Sequence, residues 1–284
     1  MKLKCQMKSL LALVILTVLM VSLSGCGAQQ SSDTDTTGDA EKEVQKILVG
    51  TMGTYPPFSF QDESGKLTGY DIEVVREVDK RLDDVEFEFV PTPWDSMFLG
   101  LESNKYQVVA NQIVRNPERE EKYYFSNTNY FNSISAIIVK KGRTGISTLD
   151  DLKGLKVGTA VGDSFTRILE EYNKQNNNAL ILKYYDGTNP TVTLQDIEAG
   201  RIDAYLNDPI MVNENVKKLG LQVEPTGEPV TVEPVYLVFR KDEQGAALRD
   251  KIDQVLSEMK EDGTLGNLSK QWFDTDYITV ERTN

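Results

Sequence analysis

Residues Val108–Ser126 read VVANQIVRNPEREEKYYFS. The apolar start of this segment predicts a short buried strand, which passes directly into the amides of Asn111 and Gln112. A charged turn led by Pro117 then carries Arg119. In open α/β sheets, binding groups lie in such loops beyond the carboxyl ends of the strands. Arg119 is therefore a candidate for holding a carboxylate with its forked guanidinium, although an arginine in such a turn is ordinarily a solvated surface charge.

On both sides of this segment the sequence predicts alternating strands and helices in two similar series. The strands of the first series are predicted at 46–51, 85–90 and 106–111, and those of the second at 155–161, 179–185 and 201–206. The helices are predicted to begin at Asp71, as a cap, and at Pro93 in the first series, and to span 165–172 and 191–199 in the second. Each series is β-α-β-α-β, which predicts parallel strands with right-handed crossovers. Two α/β lobes with a cleft between them follow, and such a cleft is the default ligand site.

The remaining segments complete this predicted body. Further strands are expected at 133–141 and 235–239, and C-terminal helices at 244–260 and ending at Trp272-Phe273.

Residues 1–25 are predicted to be a signal peptide, because three early lysines precede an apolar run at 10–21 that is too short for a permanent spanning helix. The sequence LSGC at 23–26 resembles the bacterial lipobox, which implies cleavage before Cys26 and a lipid on its thiol. The alternative is an ordinary signal peptide with an incidental cysteine. Residues 26–45, almost free of apolar side chains, are expected to form a flexible tether behind the lipidated cysteine. The body would then be held at the outer face of the cell membrane.

The composition argues against several functional classes. The net charge of −13 argues against a nucleic-acid partner. The chain has no histidine, and its other cysteine, Cys5, lies in the signal peptide, so the commonest acid–base and nucleophilic groups are absent from the body. It also lacks the glycine-rich phosphate-binding and Cys-x-x-Cys motifs. We therefore predict no enzymatic activity, no cofactor and no metal.

Six motifs resemble the polar amino-acid-binding proteins of ABC importers, the bacterial extracellular solute-binding protein family 3. They are GTMGTYPPF (50–58), GKLTGYD (65–71), PER with FS (117–119 and 125–126), DLKGLKVG (151–158), GRID (200–203) and EMKEDGTL (258–265). Their order is that of the family over residues 46–275. The resemblance implies an α/β, two-lobed periplasmic-binding-protein-like fold of type II that closes on a ligand in the inter-lobe cleft. It places lobe 1 at 46–132 plus 236–284 and lobe 2 at 133–235, with crossing strands near 131–135 and 233–236.

The resemblance also implies partners for the charged ends of an amino acid. Arg119 matches the residue that forks onto the α-carboxylate. The turn Asp163-Ser164-Phe165 matches a second carboxylate contact, with the Ser164 backbone N–H favoured over Asp163, since an aspartate there is equally an ordinary helix cap. Asp208 matches the ammonium partner, against the alternative of a turn aspartate before proline.

Four further positions carry implied roles. Tyr55 and Trp94 match aromatic residues that sandwich the ligand side chain, with core packing as the alternative. Asn111 and Gln112 match residues whose amides or carbonyls contact the ammonium end. The family pattern fails at Val114, where a Ser or Thr usually supplies a hydroxyl, and at Arg115, where a small apolar residue is usual. The pattern most resembles the cystine type, with another polar amino acid next.

The function implied is capture of an amino acid by an extracytoplasmic, monomeric lipoprotein that delivers it to an ABC permease in the membrane. Two alternatives stay open: a ligand-sensing protein that acts on a receptor, and a dehydratase-like enzyme on the same fold.

Overall fold

The computed structural model describes residues 44–281. Its strands are β1 (Gln45–Thr51), β2 (Thr54–Tyr55), β3 (Ser59–Gln61), β4 (Leu67–Thr68), β5 (Val85–Pro91), β6 (Val108–Val114), β7 (Tyr123–Phe125), β8 (Phe131–Lys140), β9 (Lys156–Ala160), β10 (Ile181–Tyr185), β11 (Ala204–Asn207) and β12 (Val223–Arg240). Its α-helices are α1 (Tyr70–Asp79), α2 (Met97–Glu102), α3 (Pro117–Lys122), α4 (Ser164–Gln175), α5 (Pro190–Glu198), α6 (Pro209–Leu219), α7 (Glu243–Glu261) and α8 (Thr264–Phe273). Short 3-10 helices span Trp94–Ser96 and Leu149–Leu152.

One mixed sheet runs through the described part of the chain in the order β10-β9-β11-β8-β12-β6-β1-β5, with β7 paired to β12. At one end β1 lies parallel between β5 and β6, and at the other β9 lies parallel between β10 and β11. Both predicted β-α-β-α-β series are therefore confirmed. We call the part built on β1, β5 and β6 the first lobe and the part built on β9, β10 and β11 the second lobe.

The antiparallel strands β8 and β12 join the two lobes. Thr231–Val235 of β12 pairs with Phe131–Ser135 of β8, and Val223–Thr226 pairs farther along with Ile137–Lys140. The predicted lobe boundaries, 132/133 and 235/236, fall in the first of these paired segments. These boundaries stay a prediction, and we propose that the hinge between the lobes lies there.

Each lobe has an apolar core on the faces of the sheet. In the first lobe, buried side chains of α2 and β6 pack together with Tyr106, which is fully buried. In the second lobe, Leu169 of α4 packs with Val157 and Leu206 of the sheet. The inner parallel strands β1, β6, β9 and β11 are largely buried and apolar, as strands covered on both faces are, whereas the edge strands β5 and β10 are partly exposed.

The expectation that Asp71 caps α1 is wrong. The N-cap position is Gly69, and Asp71 is fully buried. The backbone N–H groups of Tyr70 and Asp71 donate to the carbonyls of Pro57 and Phe58, so the first turn needs no side-chain cap.

Helix α6 and the first half of β12 were not predicted. Asp208 is the N-cap of α6 and Pro209 its first residue, while Gly220 ends it in the left-handed conformation with φ 71°. This is the usual arrangement of proline at a helix start and glycine at its end. In β12, Pro225 and Pro234 obscure the strand signal.

The predicted signal peptide, the lipidated Cys26 and nearly all of the tether lie outside the described residues. Within residues 44–281, none of the helices combines the length and apolar character needed to cross a membrane.

Candidate ligand-binding site

A pocket lies between the two lobes at the ends of the strands. Eight of the nine predicted ligand-binding residues line it: Tyr55, Trp94, Asn111, Gln112, Arg119, Asp163, Ser164 and Phe165. The lining is completed by Met52, Ser133, Ala160, Gly187, Pro190, Thr193, Tyr205 and Asn207. The predicted residue outside the lining is Asp208. The tertiary structure thus brings together side chains that lie up to about half of the chain apart.

Arg119 is the cation among the lining residues. It is 7% exposed, and its guanidinium donates from Nη1 to the Val114 carbonyl at 2.9 Å and from Nη2 to the Gly162 carbonyl, in the second lobe, at 2.7 Å. It also lies over the rings of Trp94 and Phe98. Burial lowers the pKa of Arg119 to about 10, so the side chain is charged at neutral pH. Its remaining N–H donors leave it able to bind an anion in the pocket.

The N-terminus of α4 faces the same pocket. Asp163 is its N-cap and accepts a hydrogen bond from the Thr166 backbone N–H at 2.5 Å. Burial raises the pKa of Asp163 to about 6, and the nearby charge of Arg119 acts in the opposite direction. Ser164 and Phe165 form the first turn, where the helix dipole and the backbone N–H groups at a helix start favour an anion. The alternative reading of Asp163 as a helix cap is therefore confirmed, while its contact with a ligand stays a prediction.

Asp208 lies directly behind the lining and is 1% exposed. Its carboxylate accepts hydrogen bonds from the Ile210 N–H at 2.8 Å, and from Ser133 Oγ and the Ile134 N–H at 3.2 Å each. Burial raises the pKa of Asp208 to about 6, although these donors favour the charged form. Ser133 and Asn207 do line the pocket: Ser133 Oγ donates to the Asp208 carboxylate, whereas the Asp208 backbone N–H donates to Asn207 Oδ1. A negative charge therefore stands one side chain behind the pocket wall.

Two aromatic side chains of the first lobe reach across the cleft. Tyr55 Oη donates to Asn207 Oδ1 at 2.9 Å, and Trp94 Nε1 donates to the Val161 carbonyl at 2.9 Å. Thr54 makes a third crossing bond, from its hydroxyl to the Thr188 carbonyl at 2.9 Å. Together with the Arg119 bond to Gly162, these contacts hold the lobes closed over the pocket.

The two amides at the end of β6 have different roles. Asn111 Oδ1 accepts from the Met52 N–H at 2.9 Å and so fixes the loop after β1. Gln112 has a left-handed backbone, φ 53°, and its Nε2 donates to Asp71 Oδ1 at 2.7 Å. Asn111 is mainly structural in this arrangement, while Gln112 contributes an unusual backbone turn to the pocket wall.

The two departures from the family pattern lie beside the pocket. Val114 is buried in β6 and contributes its carbonyl to Arg119. The Arg115 guanidinium stacks 4.1 Å from the centre of the Tyr236 ring and donates to the Ser126 carbonyl. Neither residue lines the pocket. Arg115 thus stabilises the first lobe beside β12. Val114 has an apolar side chain and cannot supply the hydroxyl that the family usually has at this position.

Several lining residues were not anticipated, chiefly on the second lobe. Asn207 ends β11 and Tyr205 lies two residues earlier, so the rule that sites follow strand ends would have found Asn207. Thr193, on α5, and Gly187, in the loop before it, carry no local signal, because only the lobe contact places them there. Among the described residues, no group of His, Cys, Asp or Glu side chains could hold a metal ion.

Gly187 provides a steric test of lobe closure. A Cβ there would lie 2.7 Å from Trp94 Cδ1, across the cleft, and φ is +77°. Gly187→Ala is expected to weaken ligand binding by about 1–3 kcal/mol, because overpacking opposes closure. Gly200→Ala is the matched control, with φ +71° and nothing within 4 Å. Both variants should lose stability in thermal unfolding, but only the first should lose affinity by calorimetry; equal affinity of the two would contradict the closed contact.

Comparison with known proteins agrees with this architecture. The family model of the bacterial extracellular solute-binding proteins, family 3, matches residues 47–275. The L-cystine-binding protein TcyJ of Escherichia coli (strain K12) is 41% identical over 243 residues, covering 83% of this chain and 85% of that protein. The L-cystine-binding protein TcyA of Bacillus subtilis (strain 168) is 38% identical over 281 residues, covering 95% and 99%. A solved structure of an ancestral arginine-binding protein bound to arginine matches with TM-score 0.72 and 35% identity, covering 80% of this chain and 98% of that one. The chain therefore belongs to the bacterial extracellular solute-binding proteins, family 3.

Proposed function

We propose that this solute-binding protein captures an amino acid between its lobes and delivers it to an ABC permease. The observation that carries the proposal is the pair of opposite charges at one closed pocket. Arg119 and the N-terminus of α4 form a positive pole, and Asp208, behind Ser133 and Asn207, forms a negative pole. An α-amino acid carries the complementary carboxylate and ammonium groups. The specific ligand contacts of the nine predicted residues are part of this proposal.

Cystine is the ligand we propose first, with another polar amino acid as the alternative. The relatives named above as L-cystine-binding proteins support it. The pocket walls agree with a long ligand that has a weakly polar middle, since Met52, Tyr55 and Trp94 supply apolar and aromatic surface while Tyr205 and Asn207 supply hydrogen-bonding groups. Arg119 and Asp163 are the charged side chains among the lining residues, so a basic ligand side chain has Asp163 as its partner there.

The family places the protein outside the cytoplasm, where it works with a membrane permease. We propose in addition that a lipid on Cys26 holds it at the membrane and that it acts as a monomer. The relatives are named as L-cystine-binding proteins, which supports binding without chemical conversion of the ligand.

A thermal-shift screen of the mature protein against the common amino acids and L-cystine tests the ligand. We expect L-cystine to raise the melting temperature most, since a ligand at a hundred times its Kd stabilises the folded state by about 2.7 kcal/mol. D-cystine, with both α-centres inverted, is the matched control. Adding a thiol reductant, which converts L-cystine to cysteine, should remove most of the shift.

The outcomes separate the proposals. A larger shift with another amino acid would replace cystine but keep amino-acid capture. The absence of any shift across the whole panel would contradict the proposed function. Chemical change of a ligand during incubation, followed by mass spectrometry, would favour the enzyme alternative.

A further inference from the structure

A buried acid–amide pair lies behind the pocket wall of the first lobe. Asp71, at the start of α1, is fully buried. Gln112, at the end of β6, lines the pocket and donates from Nε2 to Asp71 Oδ1 at 2.7 Å. The pair therefore connects the first turn of a core helix to the pocket.

The other two oxygens of this pair are both buried and both lack a hydrogen-bond partner. They are Asp71 Oδ2 and Gln112 Oε1. If the carboxyl is ionised, both atoms are acceptors only, and the structure leaves two buried acceptors without a donor. Such unpaired buried groups are costly and rare in folded proteins. One proton on Asp71 Oδ2 would turn that oxygen into a donor, and Gln112 Oε1, on the amide that already donates to Asp71 Oδ1, is the unpaired acceptor that it would serve.

The surroundings of Asp71 favour its neutral form. Burial raises its pKa to about 7, while the hydrogen bond from Gln112 and the nearby Tyr130 hydroxyl act in the opposite direction. The ionisable groups coupled to it are the phenols of Tyr55, Tyr70 and Tyr130, whose own pKa values are raised well above the ordinary value by burial. Asp163 and Asp208 act on Tyr55, and Asp276 acts on Tyr70, so the charges around this cluster are negative. Among the described residues, no cation contributes to the shift at Asp71.

The unusual backbone conformation of Gln112 also has to be held in place by surrounding contacts. Its backbone is left-handed, a conformation that a residue with a long side chain rarely adopts. Its backbone N–H donates to Tyr130 Oη at 3.2 Å, and Tyr70 Oη donates to the Tyr130 carbonyl at 2.6 Å. The side-chain pair with Asp71 and this tyrosine pair together hold the turn that forms the pocket wall.

We propose that Asp71 is protonated in the folded protein and forms a two-hydrogen-bond ring with Gln112, which makes Asp71 a positioning residue for the ligand pocket. Gln112 Nε2–H donates to Asp71 Oδ1, and Asp71 Oδ2–H donates to Gln112 Oε1. Asp71 acts through Gln112 and does not contact the ligand. The affinity readout rests on the proposed function, whereas the protonation state is measurable without any ligand.

Asp71→Asn and Asp71→Leu form the test pair. Asparagine reproduces the ring without a titratable proton, because its Nδ2–H replaces Oδ2–H, while leucine removes both hydrogen bonds. We expect Asp71→Leu to weaken binding of the ligand found in the screen about tenfold or more, and Asp71→Asn to bind about as well as the unchanged protein at pH 6. At pH values above the pKa of Asp71, the ligand affinity of the unchanged protein should fall, because the hydrogen-bond ring opens. The affinity of Asp71→Asn should not fall for this reason, since asparagine does not titrate.

Infrared spectroscopy of the ligand-free protein measures the proton directly. Asp163 and Asp208, with pKa values of about 6, also contribute protonated-carboxyl bands, so the measurement is the difference spectrum between the unchanged protein and Asp71→Asn, in which their bands cancel. A carbonyl band of a protonated carboxyl should be present in this difference at pH 6 and fade as pH rises through about 7. The unfolding free energy of the unchanged protein, relative to Asp71→Asn, should decrease as pH rises from about 4 to about 7, since only the folded state holds the proton there. Absence of the band, or a pH-independent difference between the two proteins, would overturn the proposal. These two measurements stand even if Asp71→Leu does not fold or if no amino acid binds.

Discussion

Replacing Arg119 by alanine is expected to weaken ligand binding more than any other single change in the pocket. The guanidinium is buried at the positive pole and bonds to carbonyls in both lobes, including that of Gly162 across the cleft. Its loss would leave a ligand carboxylate without its charged partner in a closed and poorly hydrated site, at about 2–5 kcal/mol, or a roughly 30- to several-thousand-fold loss of affinity. Isothermal titration calorimetry with the ligand from the screen is the measurement.

Arg119→Lys is the matched control for this prediction. It keeps a positive charge but loses the forked geometry that serves two carbonyls and a ligand together, so we expect intermediate affinity. Circular dichroism should show that both variants are folded, because Arg119 lies at the cleft and not in an apolar core. Near-normal affinity of Arg119→Ala would place the carboxylate elsewhere and contradict the positive pole.

Asp208→Asn is expected to have the second-largest effect. Asparagine caps a helix about as well as aspartate, so the bond to the Ile210 N–H and the start of α6 should survive. What is removed is the negative charge behind the pocket wall, together with the oxygen that accepts from Ser133 Oγ and the Ile134 N–H. We expect a loss of binding free energy of about 2–5 kcal/mol, measured by calorimetry. The Ile134 N–H left without its acceptor should cost about 1–3 kcal/mol of stability, measured by thermal unfolding.

The pH dependence of affinity gives an independent check on Asp208. Its pKa in the ligand-free protein is raised to about 6, and an ammonium group binds the ionised form. The contribution of Asp208 should therefore be complete well above pH 6 and be lost as pH falls through about 6. Asp163 also has a pKa of about 6, and its ionisation opposes binding of an anion at the N-terminus of its helix. Because Asp163 is present in both proteins, the difference in affinity between the unchanged protein and Asp208→Asn isolates the contribution of Asp208. A difference that does not depend on pH would contradict the ammonium role.

The prediction from sequence succeeded where the signal is local. Short apolar runs, and the period-two alternation at 85–90, separated by segments with helical spacing, identified both β-α-β-α-β series. The runs are apolar where the strand lies inside the sheet and is covered on both faces, whereas β5 and β10 are edge strands. The loop after β6 was predicted to belong to the site from its position at a strand end, and Arg119 lines the pocket, while its contact with a ligand stays a prediction. Helix α6 was not predicted, because its start at Asp208-Pro209 is equally typical of a turn.

Local patterns could not distinguish the buried acids from ordinary surface carboxylates. Asp71 and Asp208 both stand next to helix starts, where an aspartate is normally a solvated cap. The structure buries both, because Asp71 meets Gln112 from β6 and Asp208 meets Ser133 from β8, each far away in the chain. Such pairings depend on the register of distant strands, which no periodicity within a short window reports.

The sequence by itself determined the family, the two α/β lobes and the arginine of the pocket, since each of these is carried by a motif or by hydrophobic spacing along neighbouring residues. Only the tertiary structure decided how the lobes meet: Tyr55 on Asn207, Trp94 on Val161, and Asp208 one side chain behind the pocket wall. The physical reason is that these contacts join residues about 70 to 150 positions apart, and they form only after the sheet has brought both lobes to the same cleft.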